Sequence, residues 1–151
     1  MIETIDRPTS QDSATAELPY YPESYTPVNA SVLVVEDSPP QREMITKILQ
    51  EMGMRVQSAA DGLEALDLIA EQCPDILVLD VVMPRMNGYE LCRKLKADPQ
   101  TKHVLVVMCS TKGEDFDRYW GMRQGADAYI AKPFQPSELI GTIKQLLREP
   151  D

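Results

Sequence analysis

The chain has 151 residues, 43% of them hydrophobic and 26% charged, the size and balance of one ordinary globular domain. Fifteen basic against 24 acidic residues leave a net charge of −9, which argues against wrapping nucleic acid or coating anionic lipid, because both need excess Lys and Arg. No stretch nears the ~18 apolar residues of a membrane span, and MIETIDRPTSQDS lacks the basic and apolar regions of a signal peptide, so a cytoplasmic protein without membrane insertion is expected.

Residues 1–29 carry five acids against one base, and four of the 12 prolines (Pro8, Pro19, Pro22, Pro27). With no sustained apolar period, this segment is expected to be a disordered or loosely docked acidic tail. Tyr20, Tyr21 and Tyr25 give it a small aromatic cluster that could dock on a partner or back on the domain. Residues 30–148 should form the domain, and 149–151 its C-terminal end.

From Ser31 onward, short apolar runs alternate with amphipathic segments. SVLVV (31–35) is β-branched and apolar on both faces, as a strand buried in a parallel sheet must be. Ser38 offers an N-cap and Pro39 suits a first helical turn. Met44, Ile45, Ile48, Leu49 and Met52 then recur at helical spacing, and Gly53 closes the helix. MRVQSA (54–59) reads as a second strand. Asp61 and Glu64 have the capping-box spacing ahead of Leu63, Leu66, Ile69 and Ala70. DILVLD (75–80) is a third strand, and Asn87 with Glu90 opens a helix to about Ala97. HVLVVMC (103–109) is a fourth strand, 113–124 a fourth helix ended by Gly125, and DAYIA (127–131) a fifth strand. Pro136 opens a last helix with Leu139, Ile140, Ile143, Leu146 and Leu147. Five βα units predict an α/β, flavodoxin-like doubly wound (βα)5 fold with parallel sheet order 2-1-3-4-5 and its site at the strands' carboxyl ends.

In that order, strands 1, 3, 4 and 5 are neighbours, and their ends converge. Strand 1 ends in Glu36 and Asp37, strand 3 in Asp80, strand 4 in Cys109 and Ser110, and strand 5 in Ala131, Lys132 and Pro133. Three carboxylates in one crevice oppose each other's ionisation and need a compensating charge. Hard carboxylate oxygens in an open site suit Mg²⁺. Lys132 supplies a positive point charge for an anion and Ser110 a hydroxyl. Together they describe phosphoryl transfer to Asp80. Each residue alone would more often be a plain polar strand terminus; all five on the right strands are not. One histidine, His103, excludes multi-histidine metal sites, and Cys73, Cys92 and Cys109 read as three buried thiols.

VVEDS, LDVVMPRMNGYEL, MCS and YIAKPF resemble the response-regulator receiver domain of bacterial two-component signalling, over about residues 30–148. The resemblance implies a stand-alone, chemotaxis-type receiver: Asp80 as phosphoacceptor, and Glu36, Asp37, Asp80 and the Val82 backbone carbonyl as the Mg²⁺ site. It implies Ser110 as switch hydroxyl, Lys132 as phosphoryl partner, a cis Lys132–Pro133 bond and Tyr129 as an aromatic that turns inward. A histidine kinase or phosphotransfer protein would supply the phosphoryl group, and helix 4, strand 5 and helix 5 would signal to a downstream protein. The protein would be a monomer or weak dimer. Trp120–Ala126 (WGMRQGA) has a narrower resemblance to receivers of type IV pilus, twitching-type chemotaxis systems.

Phe116, Tyr119 and Trp120 cluster on helix 4; one at least should pack on the sheet, and an exposed remainder would anchor a partner. Lys112, two after Ser110, could draw an anion or acidic partner. Val82, two after Asp80, cannot position water by a polar group, so slow autodephosphorylation is expected. A haloacid-dehalogenase-type phosphatase would need D-x-D where Asp80-Val81-Val82 stands. A flavodoxin-like carrier would set its phosphate against Glu36 and Asp37. A transcription factor would need a second, basic domain, for which the chain has no segment. A phosphorylation-independent pseudo-receiver adaptor is the remaining alternative.

Overall fold

A computed structural model describes residues 28–148. Ten elements alternate in the order β1 (Ser31–Val35), α1 (Pro39–Glu51), β2 (Arg55–Ala59), α2 (Gly62–Glu71), β3 (Ile76–Leu79), α3 (Gly88–Ala97), β4 (Leu105–Ser110), α4 (Asp115–Arg123), β5 (Ala128–Ala131) and α5 (Pro136–Arg148). All strand pairs are parallel and the sheet order is β2-β1-β3-β4-β5, as expected. Among the described residues no helix is long and apolar enough to cross a membrane. Residues 1–27 and 149–151, most of the expected tail and the C-terminal end, lie outside the described residues. Val28 and Asn29 are tied to the domain: the Val28 N–H donates to the Met52 carbonyl at 2.7 Å, and Arg55 donates to Asn29 Oδ1 at 2.7 Å.

Strand alternation divides the core in two. Leu33, Val35, Leu77, Leu79, Val106 and Met108 face one side with Ala65, Ile69, Leu91 and Leu95. Val32, Val34, Ile76, Val78, Val107 and Cys109 face the other with Ile45, Leu49, Leu139 and Ile143. The central strands are apolar on both faces because helices cover both. β2 is an edge strand with Arg55, Gln57 and Ser58 exposed.

The caps fall where the sequence places them. Asp61 accepts from the Glu64 N–H and Asn87 from the Glu90 N–H, each at 2.9 Å. Gly125 ends α4 with φ +106°, a conformation that favours glycine. Several expectations need correction. β4 begins at Leu105, not His103. Val104 is buried, but its N–H bonds back to Thr101 and its carbonyl accepts from Lys96, so it lies in the preceding turn. Met44 and Leu63, counted in the apolar stripes of their helices, are exposed. Cys73 is exposed too, with Sγ 4.0 Å from His103 Nε2; only Cys92 and Cys109 are buried. Burial pushes those two thiols up to about 11 and about 12.

No member of the α4 aromatic trio packs on the sheet, contrary to expectation. Phe116, Tyr119 and Trp120 are 70%, 59% and 42% exposed. The sheet-facing residue of α4 is Gly121, and a Cβ there would sit 2.8 Å from Tyr129 Cδ2 and 3.0 Å from Met108 Sδ. So close an approach leaves no room for a large side chain between helix and sheet.

Candidate functional site: the carboxyl rim of the sheet

Hydrogen bonds that continue the sheet beyond its strands set the rim. The Asp80 N–H donates to the Val35 carbonyl, the Glu36 N–H to Ala59, and the Lys132 N–H to Ser110. Glu36, Asp80 and Lys132 are therefore held in register. Glu36 is 2% exposed and Asp80 9%, while Asp37 is exposed. One carboxylate oxygen from each lies within 4.8 Å of the other two, close enough for a single small cation to be shared.

Lys132 Nζ lies 2.7 Å from Glu36 Oε1 and 3.9 Å from Asp80 Oδ2. The first is a charge-assisted hydrogen bond and the second an ion pair without one. Glu36 Oε2 accepts the Ser38 N–H at 3.2 Å, so both its oxygens are engaged. Burial raises the Asp80 carboxyl above the ordinary value; the Lys132 ammonium lowers it, Glu36 raises it, and the Val82 and Val81 N–H groups lower it. The net direction is upward, so the ionised acceptor is held at a cost.

Asp80→Asn is therefore expected to stabilise the metal-free protein by about 1–2 kcal/mol at neutral pH, since it removes one of three crowded carboxylates. Because the folded-state pKa is raised, protonation favours the folded wild type. The variant's advantage shrinks as pH falls through that raised value towards 3.8. Chemical denaturation without Mg²⁺ measures it; a variant no more stable than wild type contradicts the argument.

Ser110 is fully buried, and its Oγ accepts the Lys112 N–H at 3.1 Å. Tyr129 is 5% exposed, and its hydroxyl donates to the Lys112 carbonyl. Arg118 lies 5.5 Å from the Tyr129 ring centroid and donates to its backbone carbonyl at 2.6 Å, tying α4 to β5. The Lys132–Pro133 peptide is cis. Val82 is 52% exposed beside the acceptor. Phe116, Tyr119 and Trp120 stand apart from the rim on α4.

Three contributors escaped sequence reasoning. Gln41 Oε1 accepts from Lys132 at 2.6 Å across 91 positions, which no local pattern signals. Arg42 donates to the Glu36 carbonyl at 2.7 Å. Arg85, with φ +69°, pairs with the Asp61 carboxylate and so ties the loop after Asp80 to the cap of α2. The Glu64 N–H, and after it the Arg85 guanidinium, hold that carboxyl below its usual range. The unusual φ was invisible because Arg is not a residue that favours it.

An open parallel sheet with paired acids after β1, an acid after β3, a hydroxyl ending β4 and a lysine after β5 marks a receiver-type signalling module. The chain belongs to the response regulator receiver domain family, whose model matches residues 32–144. It is 36% identical over 118 residues to protein PilH of Pseudomonas aeruginosa, covering 78% of this chain and 98% of PilH. Among solved structures it resembles the chemotaxis response regulator CheY4 of Vibrio cholerae, with TM-score 0.74 and 34% identity over 79% of this chain and 99% of CheY4. It also resembles the receiver domain of the sensor histidine kinase PA1611 of Pseudomonas aeruginosa, with TM-score 0.74 and 27% identity over 81% and 100% of the two chains. That structure holds a magnesium ion in its active-site cleft. Of other curated relatives, such as the Escherichia coli phosphate regulon regulator PhoB, the chain spans about half, 51%. Receiver domains of this family bind Mg²⁺ at an acidic pocket and take part in phosphorelay signalling with histidine kinases or phosphotransfer proteins.

Proposed function

We propose that this chain is a stand-alone response regulator that accepts a phosphoryl group on Asp80 from a histidine kinase or phosphotransfer protein. The observation that carries this reading is the buried Asp80 carboxylate with Lys132 Nζ at 3.9 Å and the Glu36 and Asp37 oxygens within 4.8 Å. An Asp80 oxygen attacks the phosphorus of a phosphohistidine. The new O–P bond forms as the P–N bond breaks, and the leaving imidazole nitrogen takes up a proton. Lys132 binds a phosphoryl oxygen, and the Ser110 hydroxyl donates to another. Three hard carboxylate oxygens fit a divalent cation: Glu36, Asp37, Asp80 and the Val82 carbonyl would hold Mg²⁺, which neutralises charge on the transferring group.

The acyl phosphate adds negative charge beside β4. Recruitment of Ser110 and Lys132 then alters the packing of Tyr129, which bridges the Lys112 carbonyl and α4. The output is the α4–β5–α5 face, where Phe116, Tyr119 and Trp120 are exposed as anchors for a protein partner. The resemblance of Trp120–Ala126 to receivers of type IV pilus systems, together with the similarity to PilH, supports a role in type IV pilus motility or taxis. Its chemistry is its own phosphorylation, with the phosphodonor as the outside reactant, and its own dephosphorylation.

Incubation with Mg²⁺ and acetyl phosphate, followed by intact-mass spectrometry, tests the reading. One phosphoryl group is expected on wild type and none on Asp80→Asn. No adduct on wild type, or the same adduct on the variant, overturns it. The phosphorylated protein is further expected to lose its label over minutes or longer, because exposed Val82 offers no polar group to orient water at Asp80. A lifetime of seconds in purified protein contradicts that expectation.

A further inference from the structure

The Lys132 ammonium has three N–H donors and no acceptor. Glu36 Oε1 takes one at 2.7 Å and Gln41 Oε1 another at 2.6 Å, while Asp80 Oδ2 stands off at 3.9 Å. The ammonium's shortest contact is thus to a neutral amide on α1, not to the acceptor carboxylate.

One turn of chain holds both of these partners. Ser38 caps α1, its Oγ 3.5 Å from the Gln41 N–H, and the Ser38 N–H donates to Glu36 Oε2 at 3.2 Å. Gln41 is the third residue of α1, so its carboxamide starts from a fixed point above the end of β1. The Lys132 side chain is only 8% exposed. Water therefore cannot readily replace the Gln41 oxygen, and the amide contact competes directly with any other acceptor for the ammonium.

We propose that Gln41 is a positioning residue that holds Lys132 on the β1–α1 side of the crevice and competes with a phosphoryl oxygen at Asp80 for it. The inference rests on Asp80 being the phosphoacceptor. Gln41 touches no reacting atom; it acts through Lys132 by setting how easily the ammonium crosses to the incoming anion.

Two substitutions that suit a helix separate this from a merely structural role. Gln41→Met keeps the length of the side chain and removes the acceptor. Gln41→Glu turns the acceptor into a carboxylate that binds the ammonium more strongly. Initial rates of Asp80 phosphorylation are measured against acetyl phosphate concentration at saturating Mg²⁺. The half-saturating concentration is expected to fall about threefold to tenfold in Gln41→Met, the net range of an ordinary intramolecular hydrogen bond, and to rise in Gln41→Glu. The opposite shifts should persist at high ionic strength, which screens long-range repulsion of the donor but not a buried contact. A structural defect would move both variants the same way. If wild type is phosphorylated and Gln41→Met lies within about twofold of it, or both variants shift together, the positioning role is overturned and the acceptor reading stands. If wild type is not phosphorylated on Asp80, the acceptor reading itself fails.

Discussion

Lys132→Met is expected to destabilise the metal-free protein by about 3–5 kcal/mol at neutral pH, the range for deleting one partner of a buried ion pair. The Lys132 and Glu36 side chains are 8% and 3% exposed, so neither charge is screened well by water. Without the ammonium, Glu36 Oε1 loses a 2.7 Å charge-assisted bond, and Asp80 loses the cation that opposes the upward push of burial on its pKa. The remaining carboxylates then repel one another with nothing between them. Denaturant midpoints measure the loss, and two additions should restore part of it. Mg²⁺ supplies a replacement charge by binding only the folded state. A second substitution, Asp80→Asn, removes one of the repelling groups, so a double-mutant cycle should show clear coupling. A loss below about 1 kcal/mol would mean that water or relaxation already screens these carboxylates, as at an exposed pair.

Gly88→Ala is expected to cost about 3 kcal/mol, near the upper end for overpacking, and to slow phosphorylation of Asp80. Gly88 is the first residue of α3, and its N–H donates to the Val81 carbonyl at 2.8 Å. A Cβ there would lie 2.3 Å from the Asp80 carbonyl oxygen, 2.4 Å from Leu79 Cδ1 and 2.9 Å from Val81 Cα. Leu79 can turn aside, but two of the three contacts are backbone, so the end of β3 or the whole of α3 must shift. Asp80 moves with it, which links a packing defect to the chemistry. Gly141→Ala is the matched control. It lies inside α5 with nothing within 4 Å of its Cβ position, so it should gain up to about 1 kcal/mol from helix propensity alone. Equal effects of the two substitutions in denaturation would contradict the close approach at Gly88.

Much of the rim is legible in the sequence because its signals are local. An apolar run such as Ile76–Leu79 marks a strand covered on both faces, and the polar residue that ends it, Asp80, falls at the carboxyl edge. Asp61 and Asn87 announce helix starts through bonds only three residues long. Where local signals conflicted with packing, the reading failed. Val104 is as apolar as its strand neighbours, yet Lys96 and Thr101 bind its backbone in a turn. The aromatic run on α4 looked like core, but Gly121 occupies the face that meets Tyr129 and Met108.

The sequence by itself determined the element types, the sheet order and which residue types meet at the rim. Periodicity, capping and right-handed crossovers act over a few residues or one βα unit, so they are written in the chain. Tertiary structure alone decided how those groups pair. Lys132 meets Glu36 across 96 positions and Gln41 across 91. It also decided that Tyr129 is buried and that the α4 aromatics are not. Such outcomes depend on interatomic separations of a few ångströms between distant segments, set by how closely whole helices approach the sheet, and no residue pattern encodes that distance.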